Sequence, residues 1–161
     1  MDNDMNDKNN FFSAIQSGNI PAIYQLLQRN PDLVDAKDNR EFTPLILASY
    51  FDKEDIVKVL VEKNANLNDT DASGNTALIG VSFKGSVNLV NYLIAQGADV
   101  NAKNSNGATA LIFAAMYNQY DVVKILLKNK ANKTIVDNDG KTALAHATEK
   151  KFTPIIDLLT N

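Results

Sequence analysis

The 161-residue chain has no cysteine, no tryptophan and a single histidine. Without cysteine it has no disulfide framework, no thiolate nucleophile and no cysteine metal site. With His146 as the only histidine, one chain supplies neither a histidine pair for a metal nor a Ser-His-Asp triad. We therefore predict a protein that is not an enzyme and that holds no metal and no cofactor.

Strong charge and long hydrophobic runs are also missing. The net charge is -3, and no basic patch interleaved with aromatic residues stands out, which argues against nucleic acid as the main ligand. No apolar run is long enough to span a bilayer, so we predict no membrane insertion. Residues 1–10, MDNDMNDKNN, are polar and lack the pattern of a signal peptide, which predicts a disordered tail. We expect a cytoplasmic location by default, and export through a signal peptide missing from this sequence stays open.

What the sequence does contain is a repeat with a period of 33 residues. Two sets of positions show the period most clearly: Thr43, Thr76, Thr109 and Thr142, and Leu45, Leu78, Leu111 and Leu144. Self-similarity at such a period is typical of a solenoid built from stacked units.

Each repeat carries the signals of two short helices. Within residues 71–103, Gly74 suits a tight turn and Thr76 can cap a first helix. Gly85 and Gly97 then suit the ends of the first and the second helix. Helices this short are marginal alone, so their apolar faces must be buried by neighbouring units. The predicted fold class is an all-α repeat solenoid.

Four strings in the repeats resemble the ankyrin signature Thr-Pro-Leu-His-x-Ala. They are FTPLILAS at 42–49, NTALIGVS at 75–82, ATALIFAA at 108–115 and KTALAHAT at 141–148. GADVNA at 97–102 also resembles the ankyrin repeat ending. The resemblance implies an ankyrin stack of five helix-turn-helix units joined by β-turn or hairpin loops. We expect this stack to form one ankyrin repeat domain over residues 11–161. Units one to five are expected at about 11–37, 38–70, 71–103, 104–136 and 137–161.

The chain departs from the signature at two kinds of position. Isoleucine or alanine replaces the signature histidine, so we expect more buried apolar surface there: Ile46, Ile79, Ile112 and Ala145. The turn glycine is Glu41 in unit two, where a positive φ costs about 1 kcal/mol for a residue with a side chain. We therefore expect that turn to be reshaped.

Three local features imitate chemistry but are better explained by structure. Gly140-Lys141-Thr142 lacks the upstream glycine of a phosphate-binding loop, and residues 137–140 lack the distal glutamate of a calcium loop. Both strings fall at a predicted turn. His146 lies on an inner helix, where packing or a contact surface is the natural role.

The ankyrin resemblance implies that turn tips and the exposed side of each first helix line a concave face that commonly grips a partner protein. By position, the candidate contact residues are Arg40, Phe42, Tyr50, Phe51, Asn75, Phe83, Asn106, Met116 and Tyr117. We predict a monomer that binds a protein or peptide, as yet unidentified, on this face.

The aromatic residues Phe51, Phe83 and Tyr117 are the strongest candidates, because aromatic side chains are enriched at binding hot spots. The alternative is that they fold down between helices and belong to the core. Leu47 and Phe113 occupy a position where the family usually has leucine, so we predict both to be core residues. At the level of function, the alternative is a structural element that self-associates, and an enzyme or metal protein is the third option.

Overall fold

The computed structural model describes the backbone of residues 2–161 and the side chains of residues 4–161, and this part of the chain contains ten α-helices and no β-strand. The helices are α1 (Asp2–Ser17), α2 (Ile20–Arg29), α3 (Pro44–Tyr50), α4 (Glu54–Glu62), α5 (Ala77–Lys84), α6 (Val87–Ala95), α7 (Ala110–Met116), α8 (Tyr120–Lys128), α9 (Ala143–Glu149) and α10 (Thr153–Thr160). A short 3₁₀ helix, Pro31–Asp35, follows α2 at the place where the first repeat is one residue longer than the others.

The helices are arranged as five antiparallel pairs that stack along one direction. The first helices of successive units contact one another, with α3 between α1 and α5 and with α7 between α5 and α9. The second helices form an outer row in which α6 contacts α8 and α8 contacts α10. This all-helical stack confirms the predicted repeat solenoid.

A threonine begins each of the four inner helices α3, α5, α7 and α9. The hydroxyl oxygens of Thr43 and Thr76 accept hydrogen bonds at 3.2 Å from the amides of Ile46 and Ile79. The threonines before α7 and α9 do the same at 3.3 and 3.2 Å. Such a cap is worth about 1 kcal/mol of helix stability, so the predicted capping role of the repeated threonine is confirmed.

The repeated leucines form the core between units. Leu45, Leu78 and Leu111 on the inner helices are each 1% exposed, and the leucines at 60, 93 and 126 on the outer helices are fully buried. Ile79 and Ile112 are 2% and 1% exposed, so the isoleucines that replace the signature histidine enlarge the buried apolar surface as expected. The core is therefore a ribbon shared between neighbouring units rather than a single centre.

An aspartate or asparagine organises the turn before each inner helix. Asp71 Oδ1 accepts hydrogen bonds from the amides of Ser73 and Asn75, both at 2.9 Å. The same pair of bonds is made by the equivalent side chains Asp38, Asn104 and Asp137. Neighbouring turns are joined through the backbone, since the amide of Ser105 donates to the carbonyl of Ser73 at 3.0 Å. The turns are therefore held both locally and by the next unit.

The expectation that Glu41 reshapes its turn is wrong. Glu41 has a φ of 64°, close to the 75° of Gly74 at the same position in unit three. The amides of Arg40 and Phe42 both donate to Asp38 Oδ1, at 2.8 and 2.9 Å, as their counterparts do in the other turns. The surrounding hydrogen bonds hold the left-handed conformation, and Glu41 bears the strain.

The predicted disordered tail is also not what the structure shows. Residues 2–10 lie in α1, and only residue 1 of that predicted segment falls outside the described residues. Asp7 Oδ1 lies 2.8 Å from the Arg29 guanidinium of α2, and Phe11 in the next turn of α1 is fully buried. A helix anchored by buried Phe11 extends backwards into polar residues, which composition alone does not reveal.

Candidate partner-binding face

The inner-helix face comprises the exposed sides of α3, α5, α7 and α9 together with the turns that precede them. Four aromatic side chains on it are strongly exposed: Tyr50 57%, Phe51 46%, Phe83 43% and Tyr117 45%. The alternative prediction, that the last three belong to the core, is therefore wrong. Large apolar side chains exposed together are unusual on a solvated surface.

The aromatic rings form two groups rather than one continuous ladder. In the first group, the ring of Tyr50 lies 6.4 Å from that of Phe42 and 5.2 Å from that of Phe51. In the second, the ring of Phe83 meets that of Tyr117 edge to face at 4.5 Å, and Phe113 stacks on Tyr117 at 6.2 Å. These contacts fix ring orientations on the surface, because edge-to-face pairs are favourable arrangements.

Basic side chains border the first aromatic group. The guanidinium of Arg40 lies 4.7 Å from the centre of the Phe42 ring, and the Lys84 ammonium lies 5.4 Å from that of Tyr50. Lys84 also donates to Asp52 Oδ2 at 2.8 Å and to the carbonyl of Tyr50. Arg40 and Lys84 thus both contact aromatic rings, and Lys84 also bonds to residues of unit two.

Asp52 connects units two and three at the end of α3. Its Oδ1 accepts a hydrogen bond from the Ser86 hydroxyl at 2.5 Å, in addition to the bond from Lys84. Burial acts to raise the pKa of Asp52, but these hydrogen bonds and the Lys84 charge outweigh it and hold the pKa below its ordinary value of 3.8. The two units are therefore held together by a charged contact beside the aromatic rings.

A cleft of about 280 Å³ opens between the two aromatic groups, and we call it the Gly80 cleft. The residues that matter for its chemistry are Phe42, Tyr50, Asp71, Gly80, Phe83 and Phe113. No atom lies within 4 Å of the place where a Cβ on Gly80 would stand. The cleft exists because unit three has glycine at this inner position and therefore has no side chain to fill the space. The equivalent residues of the other units do have one: Leu47, Phe113 and His146.

The core prediction is confirmed for Leu47 and wrong for Phe113. Leu47 is fully buried, whereas Phe113 is only partly buried and lines the Gly80 cleft. The reason is that glycine at the neighbouring position of unit three leaves one side of the Phe113 ring uncovered.

The remaining predicted contact residues have different surroundings. Asn75 Oδ1 accepts a hydrogen bond from Asn104 Nδ2 at 3.0 Å, so its side chain links two turns. Asn106 is exposed at the next turn tip, and its carbonyl accepts from the amide of Asn138 at 2.9 Å. Met116 is partly buried against the core. Asn75 and Met116 therefore offer less free surface than the exposed aromatic residues.

In unit five the inner position is closed by a hydrogen bond. His146 Nε2 lies 2.6 Å from Asp137 Oδ2, and the two side chains are only 10% and 8% exposed. Burial acts to raise the pKa of Asp137, but the bonds from His146 and from the amides of Lys141 and Asp139 hold it below its ordinary value. This pair gives His146 a structural role, in line with the predicted packing role.

Sequence reasoning found three aromatic residues that line the cleft, Phe42, Tyr50 and Phe83, but missed Asp71 and Gly80. The signal was present, because Gly80 interrupts a column of larger side chains when the repeats are aligned at 33 residues. Among the side chains of residues 4–161, no group of three or more His, Asp or Glu is placed to hold a metal ion. None of the helices in the described chain has the length and apolar character needed to cross a membrane.

Stacked helix pairs with a side-chain surface on the inner helices define a helical-repeat protein with a broad exposed face. The family model for ankyrin repeats (three copies) matches residues 11–104 and 78–161 of this chain. The chain therefore belongs to the ankyrin repeat family. Ankyrin repeats are general protein–protein interaction modules, and the family is typically non-enzymatic.

One curated relative is the Transient receptor potential cation channel subfamily A member 1 homolog of Caenorhabditis elegans. It is 35% identical over 65 residues, which is 40% of this chain. The chain spans only about 5% of the length of that relative. The likeness is thus confined to a repeat segment.

Proposed function

We propose that this protein binds a partner protein or peptide on the inner-helix face and has no catalytic role. The observation that supports the proposal is the distribution of exposed apolar side chains. Among residues 4–161, eight large hydrophobic residues are exposed, and four of them lie on this one face: Tyr50, Phe51, Phe83 and Tyr117. Aromatic side chains bury much area on binding and lose little rotational freedom, so their clustering favours a binding surface.

The mechanism is preorganisation. Capped inner helices and hydrogen-bonded turns hold the aromatic rings in fixed positions, so little conformational entropy is lost when a partner binds. Ring contacts such as the 4.5 Å pair of Phe83 and Tyr117 restrict the rotamers further. A partner is then selected by the shape and polarity of the surface. A monomeric state and a cytoplasmic location remain predictions.

The test is a triple variant, Phe51→Ser, Phe83→Ser and Tyr117→Ser, compared with the wild type in affinity capture from a lysate of the source organism. Tyr24→Ser with Tyr120→Ser is the matched control, because these tyrosines are 39% and 40% exposed on the outer helices α2 and α8. We expect a partner that the wild type and the control retain and the triple variant loses. All proteins must first show the same cooperative melting.

Two results contradict the proposal. Equal capture by the triple variant and the wild type means that the inner-helix face is not the binding surface. A mass that rises with protein concentration in sedimentation equilibrium, together with no retained partner, supports the self-associating structural element instead.

A further inference from the structure

The Gly80 cleft contains an open hydrogen-bonding position that is closed in unit five. His146 follows Asp137 by nine residues and lies 2.6 Å from its Oδ2. Gly80 follows Asp71 by the same nine residues in unit three. Asp71 Oδ1 accepts hydrogen bonds from two amides of its own turn, but among the side chains of residues 4–161 and their backbone its Oδ2 has no hydrogen-bond partner. The carboxylate oxygen therefore remains available in a cleft that lacks the ring present in unit five.

We propose that the Gly80 cleft binds one aromatic ring with a single N–H donor, the indole of a tryptophan, presented by a partner protein or peptide. The inference rests on the proposed partner-binding function and adds the chemistry of the anchor side chain. The ring takes the place that the His146 ring has in unit five, and its N–H donates to Asp71 Oδ2.

The size and walls of the cleft suit an indole. Its volume is about 280 Å³, and an apolar cavity of about 150 Å³ already accepts benzene. The rings of Phe42, Tyr50, Phe83 and Phe113 line the cleft, and aromatic pairs gain from edge-to-face or offset contacts. An aliphatic side chain would fill the space but leave the Asp71 carboxylate desolvated without a hydrogen bond, which is unfavourable.

The apolar walls of the cleft favour a neutral donor over a cationic one. The two cations nearby are already paired with carboxylates, Lys84 with Asp52 at 2.8 Å and Arg40 with Asp38 at 3.4 Å. A partner lysine or arginine would lose far more hydration on entering the cleft than a neutral ring N–H does. A neutral donor still forms a strong bond to Asp71, because hydrogen bonds to an ionised acceptor are about twice as strong as neutral ones. The indole thus complements both the apolar walls and the single acceptor.

The absence of tryptophan from the chain makes the test direct, since indole fluorescence then reports the ligand alone. The probe is N-acetyltryptophanamide, titrated with the full chain. We expect a saturable blue shift of its emission as the ring enters an apolar site. Its N1-methyl derivative, which lacks the indole N–H and keeps the same amide groups, should bind about tenfold more weakly because the bond from the ring to the carboxylate is lost.

Two variants test the two halves of the site. Gly80→Leu places in the cleft the residue that unit two has at Leu47, and we expect binding to weaken by about tenfold or more because the ring and the side chain compete for one volume. Asp71→Asn keeps the Oδ1 acceptor of the turn, as Asn104 does in unit four, and removes the charge. It should abolish the preference for the N–H ligand over the methylated one.

Several outcomes overturn the inference. Equal binding of the two ligands by the wild type, or unchanged binding by a folded Gly80→Leu variant, shows that the ring does not occupy this site in the proposed way. Tighter binding of N-acetyllysinamide or N-acetylleucinamide assigns the cleft to a cationic or an aliphatic anchor. If the indole does not bind while the triple aromatic variant still loses its partner, the anchor is wrong and the partner-binding function stands.

Discussion

Units three and five have the same backbone and differ in the chemistry of one inner position. Both begin with an aspartate that accepts two amides of its turn and a threonine that caps the inner helix. In unit five His146 completes the arrangement by bonding to Asp137, whereas in unit three Gly80 leaves Asp71 facing a cleft. The backbone bonds do not depend on the inner side chain, so this position can serve stability in one unit and recognition in another.

The largest effect on the unfolding free energy is expected for His146→Ala, which removes the hydrogen bond between His146 and Asp137. The variant leaves Asp137 Oδ2, in a side chain that is 8% exposed, without its partner. A lost hydrogen bond to a charged, buried group costs about 1.5–3 kcal/mol of unfolding free energy. Urea unfolding followed by circular dichroism measures the loss.

Gly80→Ala is the matched control at the same position of unit three. There the change should stabilise the protein by about 0.8–1 kcal/mol, because alanine is the better helix former and the space beside Gly80 is empty. If both variants shift the unfolding free energy in the same direction, the comparison fails. The inner position would then not be filled by a bonded side chain in unit five and empty in unit three.

Unit two extends the comparison to the turn, where Glu41 replaces glycine. Glu41→Gly should raise the unfolding free energy by about 1 kcal/mol, because φ is 64° and only glycine adopts that conformation without strain. The ion pair lost with Lys37, at 3.6 Å on the surface, contributes little. Thermal melting measures the gain.

The reverse substitution in unit three, Gly74→Ala, serves as the control. It should destabilise the protein, since φ is 75° and a Cβ would stand 2.7 Å from the amide nitrogen of Ser105. A stability unchanged by both substitutions would contradict the strain assigned to Glu41.

The smallest effect concerns the pH dependence of unit five. The folded-state pKa of Asp137 lies below its ordinary value of 3.8, so as pH falls the unfolded chain binds the proton first and acid favours unfolding. The stability advantage of the wild type over Asp137→Asn should be complete above the ordinary pKa and decline as pH falls through the lower folded-state value. Urea unfolding across the acid range measures it.

The nearby pair of Lys141 and Glu149, at 2.9 Å, is present in both proteins. The pKa of Glu149 is lowered mainly by its hydrogen bond to Lys141, and the charge of Asp137 is the smallest influence on it, so the pair enters the difference only weakly. Asp71→Asn provides the comparison in unit three, where no histidine holds the carboxylate. A pH dependence of equal size for the two substitutions would mean that His146 is not the cause of the lowered pKa of Asp137.

Much of the fold follows from the sequence because its signals are local and recur every 33 residues. Thr76 caps α5 and Gly85 ends it with a φ of 79°, as the pattern predicts. The extent of α1 did not follow, since its first residues are polar and the Asp7–Arg29 contact, which adds to the anchor at buried Phe11, joins residues 22 positions apart. The expected reshaping of the Glu41 turn was wrong for a related reason, because the neighbouring hydrogen bonds decide whether a turn is reshaped.

The candidate site, too, was predicted from the sequence only in part. The exposed aromatic positions were found from the repeat register, but their grouping was not, because Phe83 meets Tyr117 across two units. Phe113 is predicted to be a core residue because ankyrin repeats usually have leucine at this position. Its ring is partly exposed only because the neighbouring unit has Gly80 at the equivalent position.

The sequence by itself determined the period, the order of the helices, their caps and the family of the fold, because each depends on residues a few positions apart. The tertiary structure alone decided how the exposed aromatic rings are grouped, where the Gly80 cleft opens, and that Oδ2 is hydrogen-bonded in Asp137 but not in Asp71. These features arise between stacked units, where the side chain of one repeat covers or uncovers that of the next. Whether Gly80 opens a cleft and whether His146 closes one therefore depends on the side chains that pack beside them.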